Sequence, residues 1–197
     1  MIEGVKLLDL IIREDERGYL TEIGSEGWPD MAAMPHVYEA MARDGVIKAF
    51  HAHMQQTDRF YCLEGVAKVG LIDLRGPVYE HTAGFPYPDS PEHWLCHVGG
   101  DSDNTEFAEV YPDDKAWTDA LGIVGQTKTF GDHETVILSR KRAQLLFIPP
   151  GVAHGQMGVR GRSRLLNLPT VAYNRAKPDE VRMQYNLLGF PWEIGNR

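Results

Sequence analysis

The 197-residue chain has only two cysteines, Cys62 and Cys96. Two are too few for a disulfide framework, and Cys62 lies in the apolar run Phe60-Tyr61-Cys62-Leu63, which reads as a buried, inert thiol. No apolar run approaches the length needed to cross a bilayer as a helix. The N-terminus, Met1-Ile2-Glu3-Gly4, lacks a basic stretch followed by an apolar one. A reducing cytoplasm is the expected compartment. Basic charge is also scarce, with 20 Lys and Arg against 28 Asp and Glu and a net charge of -8. A general polyanion binder carries a basic surface, so neither nucleic acid nor an anionic membrane is an expected partner. A small anionic ligand needs only a few local cations and stays admissible. Internal repeats and low-complexity tracts are missing too.

What the chain does have is many short, apolar-rich or alternating segments separated by turn signals. Strands are predicted over 5–12, 19–23, 35–40, 46–51, 59–63, 67–74, 134–139, 144–148, 155–159 and 163–168. Asp15-Glu16-Arg17-Gly18, Asp44-Gly45 and Glu64-Gly65 supply turns between them. Residues 76–134 differ, with frequent Pro, Gly, Asp, His and Trp and poor periodicity; they read as a long inserted flap. One short helix is predicted at 113–121, and Trp94, His97, Asp113 and Trp117 shape either a lid or a small satellite core. The tail from 178 onward, ending near Phe190-Pro191-Trp192, is expected to pack on the outside. Together these signals predict a single all-β domain over 1–197, a sandwich or closed barrel with few short helices.

Histidines carry the chemical signal. His51 and His53 stand at i and i+2 on one predicted strand and so share a face. Asp58 follows after a short link, where the next strand returns to the same mouth. Pro149-Pro150-Gly151-Val152-Ala153-His154 is a tight turn that launches a strand and sets His154 at a pocket rim. Three imidazoles and a carboxylate suit a divalent transition metal with open positions. Without metal, the same groups suit proton transfer near neutral pH. Lys141-Arg142 and the alternating Arg160, Arg162 and Arg164 read as solvated turns.

These two segments resemble the two cupin motifs, with Asp58 where that pattern has Glu. The chain further resembles the dTDP-4-dehydrorhamnose 3,5-epimerases and their sugar-nucleotide epimerase relatives. The likeness lies in Asp15-Glu16-Arg17-Gly18-Tyr19, in the strand from Gly45 to His51, in Gly65 through Asp73-Leu74-Arg75, in 136–155 and in 168–174. The resemblance implies a cupin jelly-roll β-barrel and a homodimer. It implies removal of a proton alpha to the C4 ketone of a nucleotide-linked 4-keto-6-deoxy sugar, with no cofactor required. His51 is then the base, and Arg59 or Lys48 stabilises the enolate. His154 and Asn167 line the sugar pocket, Tyr173 lies beside the sugar or base, and Arg17 and Glu22 reach the nucleotide across a dimer interface.

Several positions depart from the family. Its catalytic tyrosine falls on Asn167, and the glutamine two residues after the base is His53. Its lysine falls on Asp58 or Arg59, depending on register, and the C-terminal carboxylate that partners the base is missing. Tyr61, Tyr185 or a residue of the flap are the substitute acids considered. Two other readings follow from these departures. One is a metal-dependent oxygenase or isomerase with His51, His53, Asp58 and His154 as ligands; the other is a sugar-binding cupin without turnover.

Overall fold

A computed structural model describes residues 1–25, 27–28, 31, 34–76, 127–176, 178–186 and 189–194. The predicted helix at 113–121, the aromatic and histidine cluster of the insert, and Cys96 lie outside these residues. No α-helix occurs among the described residues, and none is long and apolar enough to cross a membrane.

Among the described residues twelve strands form: β1 (Lys6–Asp9), β2 (Ile12–Asp15), β3 (Gly18–Thr21), β4 (Tyr38–Ala42), β5 (Ile47–Ala52), β6 (Asp58–Glu64), β7 (Val66–Asp73), β8 (His133–Ser139), β9 (Gln144–Ile148), β10 (Val152–Gly158), β11 (Ser163–Asn167) and β12 (Val181–Arg182). Two five-stranded antiparallel sheets, ordered β1-β9-β6-β11-β4 and β12-β5-β10-β7-β8, make the jelly roll; β2 and β3 form a separate hairpin. The predicted strand 5–12 is thus split, because β1 pairs with β9 while Ile12 begins the hairpin arm.

Alternation assigns the side chains. Phe60, Cys62, Val69, Leu71, Leu146, Ile148, Val152 and Leu165 fill the space between the sheets. The next residues along the same strands, such as Tyr61, Leu145 and Phe147, face outward under Met31 and Trp28. On the other sheet Phe50, Ile72, Leu74, Ala153 and Met157 face outward and are covered by Met183, Phe190 and Trp192. The tail therefore packs outside, as expected, and also adds β12 to the sheet edge beside β5. Gly70 is required there: a Cβ would lie 2.7 Å from the Phe190 ring and 2.9 Å from Trp192. Cys62 is buried, and burial pushes its thiol pKa up.

The connection from β7 to β8 carries the long insert. Residues 127–134, predicted as part of it, rejoin the fold: Thr127 N–H donates to the Arg75 carbonyl at 3.1 Å, and β8 begins at His133. Asp73 ties this neck. Its fully buried carboxylate accepts from Arg75 Nε and Nη2 at 2.7 and 2.8 Å, and from the hydroxyls of Thr127 and Thr129 at 2.8 and 2.6 Å. Burial alone would raise the Asp73 pKa; the hydrogen bonds from Arg75, Thr129 and Thr127 outweigh it and hold the group below its ordinary 3.8. Asp73→Asn leaves the guanidinium buried without its anion, and is expected to cost about 3–5 kcal/mol in urea unfolding at pH 7. A depressed carboxylate pKa stabilises the fold above the unfolded value and ceases to do so as pH falls through the folded one. The gap between wild type and variant should therefore close on acidification below pH 3.8. A gap that stays constant with pH would show that Asp73 does not act through its charge.

Candidate functional site

The second histidine motif is built by a turn. Val152 N–H donates to the Pro149 carbonyl at 3.3 Å, Gly151 has φ +76°, and Pro150 precedes it, the arrangement of a type II turn. Gly151 N–H also donates to the His53 carbonyl at 2.8 Å, which locks this turn to the first motif. β10 leaves the turn at once, so it starts at Val152, three residues earlier than predicted, and His154 pairs in register with His51.

Between His154 and Gln156 the β10–β5 register slips: His154 faces His51, while Gln156 faces Lys48. Two residues of β5, Ala49 and Phe50, thus oppose one of β10, Gly155. Such a bulge turns positions three apart onto one face, and Lys48 and His51 line the same cavity.

The sheets bring His51, His53, Asp58 and His154 together, with one ligating atom from each within 4.8 Å of the others. Asp58 is the hub. Its Oδ2 lies 2.9 Å from His154 Nε2, 3.4 Å from His53 Nε2 and 3.9 Å from His51 Nε2, and Gln56 Nε2 donates to Oδ1 at 2.6 Å. Burial would raise the Asp58 pKa, but the hydrogen bonds from His154 and His53 hold it well below the carboxylate range. Burial lowers the His53 imidazole pKa; the hydrogen bond and charge of Asp58 and the Asp179 carbonyl reverse this and lift it to about 9. His51 goes the other way. Burial, reinforced by His154 and His53, holds it well below the usual histidine value, so it is a neutral base.

A cavity of about 520 Å³ opens beside His51, lined by Tyr38, Lys48, Gln156, Asn167, Glu180 and Arg182 among others. A second cavity, of about 640 Å³, shares Tyr38 and Glu180 and continues past His53 to His36 and Tyr173. The Tyr173 ring is 61% exposed and stacks on His36 at 6.4 Å.

The remaining candidates divide clearly. Asn167 lies in the first cavity and is buried; its Oδ1 accepts from Arg59 N–H at 3.0 Å and its Nδ2 donates to the Tyr38 hydroxyl at 2.8 Å. Arg59 is not at the cavity. Adjacent strand residues point to opposite faces; Asp58 takes the inner one, so the Arg59 guanidinium turns outward to the carbonyls of Leu168 and Pro169. Arg17 sits on the β2–β3 hairpin and is paired with Asp15. Glu22 lines a separate groove with Leu8, Ile11, Arg13 and Trp28. Neither Arg17 nor Glu22 lines the histidine cavities. Tyr61 faces outward, and Tyr185 is 58% exposed. Two of the basic residues of the 160–164 turn form rim ion pairs: Arg162 with Glu64, and Arg164 with Glu39.

Sequence reasoning missed Tyr38, Gln56, Asp179 and Glu180. Asp179 holds the loop after His53, its carboxylate accepting from the N–H groups of Met54, Gln55 and Gln56 at 2.8–2.9 Å while its carbonyl meets His53 Nδ1. The register pairing of β12 with His51 and Ala52 brings this segment in; a strand that short leaves no periodic signal. Asp58 on β6 brings a carboxylate oxygen to 3.9 Å from His51 Nε2.

Residues 116–197 match the family model for dTDP-4-dehydrorhamnose 3,5-epimerase. The spore coat polysaccharide biosynthesis protein SpsL of Bacillus subtilis is 28% identical over 98% of this chain and 97% of its own length. A Haloferax volcanii protein, named probable low-salt glycan biosynthesis epimerase Agl13, is 26% identical over 94% of this chain and 89% of its own. The crystal structure of the 3,5-epimerase of Legionella pneumophila, in complex with dTDP-4-keto-L-rhamnose, superimposes with a TM-score of 0.63 at 20% identity, covering 100% of this chain and 82% of that one. At that identity the likeness shows a common fold.

Proposed function

We infer that this dTDP-4-dehydrorhamnose 3,5-epimerase-like cupin inverts a carbon alpha to the ketone of a nucleotide-linked 4-keto-6-deoxy sugar. The observation that carries the reading is His51 at the wall of a sugar-sized cavity, clustered with His53, Asp58 and His154 and with Lys48 lining the same cavity. His51 removes the proton. The electron pair moves onto the C4 oxygen, and Lys48 takes the stabilising role that Arg59, turned outward, does not fill. His154 and Asn167 bound the sugar pocket, and Tyr173 with His36 offers an aromatic platform for the nucleobase.

The chain acts as one domain over 1–197, in the cytoplasm and as a homodimer. Exposed apolar residues on the hairpin arm, Ile12, Tyr19 and Leu20, and the edge strand β1 favour association. Arg17 and Glu22 reach a nucleotide only from a second copy. Incubation with dTDP-4-keto-6-deoxyglucose in deuterium oxide is expected to introduce deuterium at C3, C5 or both. No incorporation at any enzyme concentration would sink the reading.

One observation favours a metal centre as the second reading. His154 Nδ1 donates to the Val152 carbonyl at 2.9 Å and His53 Nδ1 to the Asp179 carbonyl. Backbone acceptors of this kind orient metal-bound imidazoles, and both Nε2 atoms converge on Asp58. The donor set fits a divalent ion such as Fe, Mn, Ni or Zn, which would polarise a substrate oxygen. Elemental analysis decides: about one ion per chain, lost on chelation together with activity, supports this reading, and metal-free active protein removes it.

A further inference from the structure

Inversion of a carbon demands that the proton return on the face opposite the one from which it left. If the chain is the epimerase inferred above, a base on one wall of the pocket therefore needs a proton donor on the other. His51 projects from β5, in the sheet β12-β5-β10-β7-β8. The facing wall, from the sheet β1-β9-β6-β11-β4, contributes Tyr38, Ala40, Phe60, Leu165 and Asn167 to the cavity. Among these described residues only Tyr38 carries a hydroxyl or other acidic hydrogen.

We propose that Tyr38 is the general acid of the reaction, delivering a proton to the sugar carbon on the face opposite His51. A chain of hydrogen bonds fixes how its hydroxyl points. The Arg59 backbone N–H donates to Asn167 Oδ1, so the amide orientation is set and Nδ2 must face away from it. Nδ2 donates to the Tyr38 oxygen at 2.8 Å. That oxygen is an acceptor in this bond, so its own hydrogen stays available to another acceptor, and Tyr38 lines the cavity. Asn167 and Tyr38 are direct cross-strand partners, which makes the contact part of the β11–β4 register. Burial, aided by the negative charge of Asp58, pushes the phenol pKa up, so the group keeps its proton at neutral pH.

The step balances. His51 takes the C–H proton, and the electron pair enters the C4 carbonyl as an enolate. The enolate carbon then forms a bond to the Tyr38 proton while the phenol O–H breaks. Solvent returns a proton to the phenolate and accepts the one held by His51, so no oxidant or reductant is needed.

The test compares two readouts on dTDP-4-keto-6-deoxyglucose in deuterium oxide: deuterium entering with retained configuration, and formation of inverted product. Tyr38→Phe keeps the ring and removes the donor. Exchange with retention is expected to persist within about threefold, while inverted product falls by about 10²-fold or more. Asn167→Ser, which removes the orienting amide, should move the same ratio in the same direction by a smaller amount. Inverted product at wild-type rate in Tyr38→Phe overturns the assignment, as does an equal loss of exchange and inversion in both variants. A wild-type protein that shows neither readout overturns the epimerase reading and this assignment with it. Where the wild type shows both, failure of the variants to separate them overturns the Tyr38 assignment alone.

Discussion

Replacement of His51 by glutamine is expected to lower kcat/KM for inversion of dTDP-4-keto-6-deoxyglucose by about 10²- to 10⁴-fold, the usual contribution of a positioned general base. Glutamine fits the space and keeps a hydrogen-bonding tip, but it accepts no proton. His51 suits the task because burial and its two imidazole neighbours keep it uncharged, whereas His53, held to Asp58, sits at about 9. Deuterium exchange should fall with inversion, unlike in Tyr38→Phe, because abstraction comes before any delivery. A variant within about threefold of wild type on both readouts would show that the base lies elsewhere. Metal content measured on the same preparation tells a lost base from a lost ligand.

Trp192→Ala is expected to destabilise the fold by about 3–5 kcal/mol in urea unfolding. Trp192 is buried, packs on Phe190 at 4.8 Å and on Phe50 at 5.4 Å, and its indole N–H donates to the Tyr185 carbonyl at 2.6 Å. Phe50 directly precedes His51, so the tail braces the bulged strand from behind. The loss should reach activity as well as stability, since Lys48 and His51 share a face only while the bulge holds. A cost below about 1 kcal/mol would mean that the tail is not part of the cooperative core.

Much of the fold and of the site is legible in the sequence, for definite reasons. The β9 limits at 144–148 can be read directly because turns bound a short apolar run on both sides. The three histidines and Asp58 converge as their spacing predicts. The choice between Asp58 and Arg59 is open in the sequence because a one-residue slip exchanges the two faces of a strand, and only the pairing of Asp58 with Ile148 decides it. Lys48 cannot be placed beside His51 from sequence, since a bulge leaves no mark in composition. Tyr38 is inconspicuous because its meaning comes from Asn167, 129 positions away in the chain and opposite it in the sheet.

The knot of hydrogen bonds around Asp73 has a further consequence. Departure at Gly76 and return at Thr127 are stitched side by side, and the β7–β8 ladder has already brought these points together. Closing a longer or shorter excursion from a fixed pair of anchors changes chain entropy only logarithmically. The two sheets can therefore host inserts of different length at this port over evolutionary time with their histidine register intact.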